Sequence, residues 1–231
     1  MATEVVSVDE PGEFARTVAA RLARALHGAI AARGWAFIGL PAGTFQRAIY
    51  AELRLASLDW SRVEFFFVEE RGVPAGHPAS AFAEAEYRLF DNPRVESHQV
   101  HRVEGAEPDL ERVAERYAEE LPERFDVLLL EPGADGHLGA LYPDSPAFDD
   151  ERDVVPLELA DHKPRRRVML APRVIEAARE VVVAASGPAL AEVTARVLEG
   201  DEAPRTLPAA LLRGRTWIVD RAALARCTGT K

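Results

Sequence analysis

Leu128-Leu129-Leu130-Glu131-Pro132-Gly133-Ala134-Asp135-Gly136-His137-Leu138-Gly139-Ala140-Leu141-Tyr142-Pro143 is the stretch whose reading decides the fold. The apolar run from Phe125 to Leu130 reads as a buried strand, and it empties into a Gly-rich turn that holds Asp135 and His137. In open α/β sheets, ligands collect at the carboxyl ends of the strands. An imidazole placed there can move protons near neutral pH. The same residues also suit a turn whose Asp and glycines only satisfy the backbone, so the stretch alone leaves both readings open.

On either side, helical and strand patterns alternate. Phe14, Val18, Leu22, Leu26 and Ile30 recur every four residues and predict an amphipathic helix over 12–33, stopped by Gly34. Trp35 to Leu40 reads as a short strand, and Thr44 as the cap of a helix running to about Ala56. Val63 to Val68 is the next strand, Glu69 to Ser80 a loop, 81–90 a helix, and Pro108 to Leu121 a charged amphipathic helix. Residues 142–166 look irregular and Val168 to Leu170 a short strand, after which Pro172 starts a helix to Arg179. Val181 to Ala185 is a β-branched strand, 188–199 a helix, Thr216 to Val219 a last strand, and a short helix is expected from Arg221. Alternation of this kind implies right-handed βαβ units and a mostly parallel open α/β sheet with helices on both faces. No composition break divides the chain, so 1–231 is expected to be a single domain.

Composition narrows the function. No apolar run is long enough to span a membrane, and the acidic N-terminus lacks the order of a signal peptide. A formal net charge of −10 argues against wholesale nucleic-acid binding. The single Cys227 fits a reducing, cytoplasmic setting. The histidines show no helical i, i+4 pair and no partnering Cys, so no metal is expected. Serine-elbow, Walker A and dinucleotide fingerprints are absent, and no cofactor is expected.

Gly133, Asp135, Gly136, His137, Leu141, Tyr142 and Pro143 together resemble the signature of the 6-phosphogluconolactonases, part of a sugar-phosphate superfamily with the glucosamine-6-phosphate deaminases. The deaminase branch is similar up to the His and then continues differently. The resemblance implies that family's Rossmann-like fold. It also implies hydrolysis of 6-phospho-D-glucono-1,5-lactone in the pentose phosphate pathway, by a monomer or homodimer acting on a small sugar-phosphate lactone.

Three further segments continue it. Gly43 and Thr44 keep the minimal form of a phosphate loop, where small residues let main-chain amides approach an anion; an ordinary strand-to-helix turn would read the same. Glu70, Arg71, Val73, Pro74 and Ser80 match a second segment, in which Arg71 is either an anion clamp or the partner of Glu69 or Glu70. Arg167, Val168 and Leu170 match a third, with Arg167 a ligand or part of a solvated basic loop.

The resemblance implies His137 as general base, Asp135 as the residue that holds its turn, and Gly43, Thr44, Arg71, Arg167, Ser80 and Gly136 as substrate contacts. Leu190 falls where the family has a phosphate-binding Lys, and Phe45, Ala81, Leu138 and Ala140 also replace polar residues. These departures imply a less polar pocket, and the alternative reading is a diverged, non-catalytic member. A sugar-phosphate isomerase or deaminase, with Glu69 or Glu70 as an added carboxylate base, is a third.

Overall fold

The computed structural model describes residues 3–43 and 45–229. At its centre lies β5 (Val127–Leu130), buried along its whole length. Side chains of a strand alternate between faces, and here both faces are dry. Val127 and Leu129 enter one apolar cluster, Leu128 and Leu130 another. A continuous apolar run, rather than an alternating one, is what a parallel strand covered on both sides requires.

β5 belongs to a six-stranded sheet with β1 (Glu4–Val8), β2 (Ala36–Leu40), β3 (Val63–Phe67), β8 (Glu180–Ala185) and β9 (Thr216–Asp220), in the order β1-β9-β8-β5-β2-β3. Every pairing in it is parallel. On one face lie α1 (Pro11–Arg33), through Val18, Leu22 and Leu26, and α2 (Arg47–Arg54), through Ile49 and Leu53. On the other lie α4 (Leu110–Glu120), through Val113 and Tyr117, and α6 (Ala191–Glu199), through Val193 and Val197. The expected open parallel sheet with helices on both faces is therefore present. A second, antiparallel sheet of three strands follows the order β4-β7-β6: β4 (Glu69–Arg71), β7 (Arg166–Leu170) and β6 (Val154–Glu158). It packs on the α4 side through Val154, Leu157 and Val168.

β2 and β5 are neighbours, yet the chain leaves them in opposite directions across the sheet, β2 toward β3 and β5 toward β8. That reversal opens a crevice beyond the strand ends. The segment after β2 enters it from one side, and the segment carrying Asp135 and His137 from the other.

Three strands and one turn depart from the sequence expectations. β1 is half-exposed at the sheet edge, so its apolar pattern is weak. β4 replaces the start of the expected 69–80 loop; its three charged residues form a strand because β7 offers them a ladder. β6 lies in the stretch expected to be irregular and tolerates Pro156 because it is an edge strand. From Arg221 the chain makes turns, anchored by the Ala223 N–H donating to Asp220 at 2.7 Å, in place of the short helix. Other helices kept their expected places, among them α3 (Ala81–Ala85), which runs on into a π-helical segment to Phe90, and α5 (Pro172–Ala177). Among the described residues no helix is long and apolar enough to cross a membrane.

Candidate active site

The turn after β5 is shaped around an imidazole. The Gly133 N–H donates to the His137 carbonyl at 2.8 Å, and the Gly136 N–H to the Gly133 carbonyl at 2.9 Å. Gly136 has φ 94°, a region glycine enters without strain. Asp135 accepts from both the main-chain N–H of His137 (3.1 Å) and its ring Nδ1 (2.5 Å). Partial burial pushes the Asp135 carboxyl up, but these hydrogen bonds and the nearby ring outweigh it and hold the group below its ordinary value. Tyr142 stacks on the His137 ring at 4.8 Å between centroids, and its hydroxyl lies 3.2 Å from Nδ1 of His162.

This ring lines a cleft of about 430 Å³ at the crevice between β2 and β5. Gly43, Arg71 and Arg167 line it too, so four of the expected site residues meet there. Thr44, expected as both cap and ligand, lies outside the described residues. The helix after the Gly43 loop begins later than expected, with Gln46 at its N-cap position. The Gln46 amide donates instead to the Gly43 carbonyl at 2.9 Å, which pins the loop from beneath. Gly136 shapes the turn and does not line the cleft; a Cβ there would stand 2.3 Å from Leu207 Cδ1. Ser80 does not line it either. Its buried hydroxyl donates to Glu70 at 2.9 Å and caps α3.

The two arginines differ in electrostatic state. Arg167 is buried and paired with Glu69 at 2.5 Å, while its Nε donates to the Pro164 carbonyl. Arg71 forms no pair with Glu69 or Glu70; its Nη1 donates to the Ala79 carbonyl at 2.9 Å, and among the described residues no carboxylate pairs with its guanidinium on the cleft wall. Glu70 instead binds the N–H groups of Arg71, Ala81 and Phe82. Burial raises the Glu70 pKa above the ordinary carboxylate value, with those donors acting against the rise. Neither Glu69 nor Glu70 is thus a free base of the kind the isomerase reading requires.

Of the five departures from the family pattern, Phe45 and Leu190 reach the cleft. Ala81, Leu138 and Ala140 are fully buried in the core and do not alter its lining. Two lining groups, Tyr142 and Glu131, and one residue beside Tyr142, His162, escaped the sequence reading. Tyr142 was visible in the quoted motif but was not assigned a role. His162 could not be placed beside it from spacing alone. Glu131, the charged residue ending an apolar strand, was the signal available and unused. Burial pushes its carboxyl up to about 7.

Elsewhere, a larger hollow of about 540 Å³ lies by Phe82, Phe90 and Arg102. Its acidic rim of Glu86, Asp91 and Glu96 does not suit an anion. Among the described residues no cluster of His, Cys, Asp and Glu could hold a metal ion.

Comparison with known proteins shows the family and the fold. The family model for glucosamine-6-phosphate isomerases/6-phosphogluconolactonase matches residues 9–219. The 6-phosphogluconolactonase of Mycobacterium tuberculosis is 33% identical over 225 residues, covering 89% of this chain and 91% of its own length. The human 6-phosphogluconolactonase is 33% identical over 228 residues, covering 91% and 86%. Among solved structures, the 6-phosphogluconolactonase of Thermotoga maritima superposes with a TM-score of 0.85 at 23% identity, covering 95% of this chain and all 100% of its own. A monomeric glucosamine-6-phosphate deaminase superposes with 0.82 at 20% identity, covering 96% and 99%, a likeness of fold. The chain therefore belongs to the glucosamine-6-phosphate isomerase/6-phosphogluconolactonase family.

Proposed function

We propose that the protein hydrolyses 6-phospho-D-glucono-1,5-lactone to 6-phosphogluconate, as its 6-phosphogluconolactonase relatives are named for doing. The single observation that carries the reading is His137, tethered through Nδ1 to Asp135 and lining the same cleft as Arg71 and the Gly43 loop. With Nδ1 occupied, Nε2 is the nitrogen left to take a proton. It removes one from water as the oxygen attacks the lactone carbonyl. The tetrahedral oxyanion then collapses, the ring C–O bond breaks, and the imidazolium returns the proton to the leaving alkoxide. Arg71 and the Gly43 amide hold the distal phosphate, so binding energy far from the reacting carbon positions it. Asp135 orients the ring. On this reading the protein acts as a monomer or homodimer in the cytoplasm, on a small sugar-phosphate lactone.

His137→Ala is expected to lower kcat about 100-fold or more with KM little changed. Hydrolysis by the variant at the parental rate removes the base. The second reading, a diverged binder, is favoured by Leu190 and Phe45 on the cleft wall and by Glu69 neutralising Arg167. Absence of both lactone hydrolysis and a thermal shift with 6-phosphogluconate would establish it in place of the enzyme.

A further inference from the structure

Carboxylates taken out of water are ordinarily supplied with donors, because an ionised oxygen without one is costly. The buried ones here follow the rule. Glu69 has Arg167; Glu70 has Ser80 and three main-chain N–H groups; Asp126 has Arg33, Arg179 and the Phe37 N–H. Glu131, half-buried at the cleft, has no such supply from the protein among the described residues. Its side chain lines the cleft just past the end of β5, between Leu130 and Pro132 on the same wall. Among the described residues it has neither a hydrogen bond nor an ion pair, and the rise of its pKa has desolvation as its cause.

The same cleft is lined by the groups suited to an anion, Gly43 and Arg71. An anionic ligand held by them brings a carboxylate no benefit by itself. It benefits if the same ligand carries hydroxyl groups, each of which donates one hydrogen bond. A carboxylate has two oxygens and can accept from two neighbouring hydroxyls at once.

We propose that Glu131 is a polyol clamp: its carboxylate accepts hydrogen bonds from ring hydroxyls of the sugar lactone and so selects a hydroxylated ligand over an equally anionic apolar one. The proposal rests on the sugar-lactone reading of the cleft. It assigns to Glu131 selectivity in binding, distinct from the proton transfer assigned to His137.

Two inert probes separate the contributions. 1,5-Anhydroglucitol 6-phosphate keeps the ring hydroxyls and the phosphate but has no carbonyl to hydrolyse; hexyl phosphate keeps the phosphate alone. Calorimetric titration of the wild-type protein at about pH 8 is expected to show tighter binding of the polyol. Glu131→Ala is expected to weaken the polyol about tenfold or more, and to leave hexyl phosphate unchanged or bound more tightly. Glu131→Gln, which keeps one acceptor and the side-chain volume, should fall between. If the alanine variant binds the polyol as well as the wild type does, the clamp is wrong and the sugar site stands. If the wild-type protein itself does not prefer the polyol, the sugar reading falls and the clamp with it. Circular dichroism of both variants shows whether they are folded.

Discussion

The Cα of Gly133 lies so close to the His137 imidazole that a Cβ built on it would stand 2.1 Å from both Nδ1 and Cε1 of the ring. No real contact is that short, so the ring occupies space that only glycine leaves free. Gly133 is thus a steric determinant of where the base sits, and this can be tested apart from the chemistry of the ring.

Gly133→Ala is expected to displace His137 without unfolding the turn. A misplacement of about 1 Å costs on the order of 100-fold in rate. The expected result is a kcat for lactone hydrolysis reduced by about that factor, with KM and the melting temperature little changed. Parental kcat would show that the ring position is not what the turn provides.

Glu69 and Arg167 form a buried pair across the small sheet. Removing one member leaves the other charged and unpaired, at about 3 kcal/mol or more. Glu69→Gln should lose that much stability in urea unfolding, and the double variant Glu69→Gln, Arg167→Met should regain part of it. A loss below about 1 kcal/mol in the single variant would place the pair with exposed ones.

The carboxyl of Glu131, pushed up to about 7 from the ordinary 4.5, holds a proton in the folded protein that the unfolded chain has already released. Stability from that proton is fully present below about 4.5 and is lost as pH rises through about 7. Glu131→Gln should therefore gain melting temperature over the wild type at about pH 8 and not at about pH 4. A difference that stays constant across this range contradicts the assignment.

Leu190 sits 7% exposed on the cleft wall, at the position where the family resemblance implies a phosphate-binding lysine. A charge-assisted hydrogen bond contributes about 1.5–3 kcal/mol. Leu190→Lys should therefore tighten phosphate binding about tenfold in titration with inorganic phosphate. No change in Kd would mean that the phosphate lies elsewhere in the cleft.

Legibility followed distance along the chain. The β5 run and its turn were readable because strand burial and Gly-Asp turn chemistry are local, and the Asp135–His137 contact spans two residues. β4 escaped because Glu69, Glu70 and Arg71 carry no apolar pattern; only β7 makes them a strand. Ser80 matched a motif, yet its hydroxyl serves Glu70 and α3. Ala81, Leu138 and Ala140 were read as changes to the pocket, but the core buries them.

By itself, the sequence determined the parallel open sheet, the strand that delivers His137, and the glycines its turn needs. These follow from periodicity and from backbone conformations within a few residues. The charge state of the cleft was decided only by the tertiary structure. Arg167 is neutralised by a glutamate 98 residues away, Tyr142 meets His162, and among the described residues Arg71 has no carboxylate partner and Glu131 no donor. Whether a charge is compensated depends on which strands and loops lie beside it, and that is a property of packing rather than of spacing along the chain.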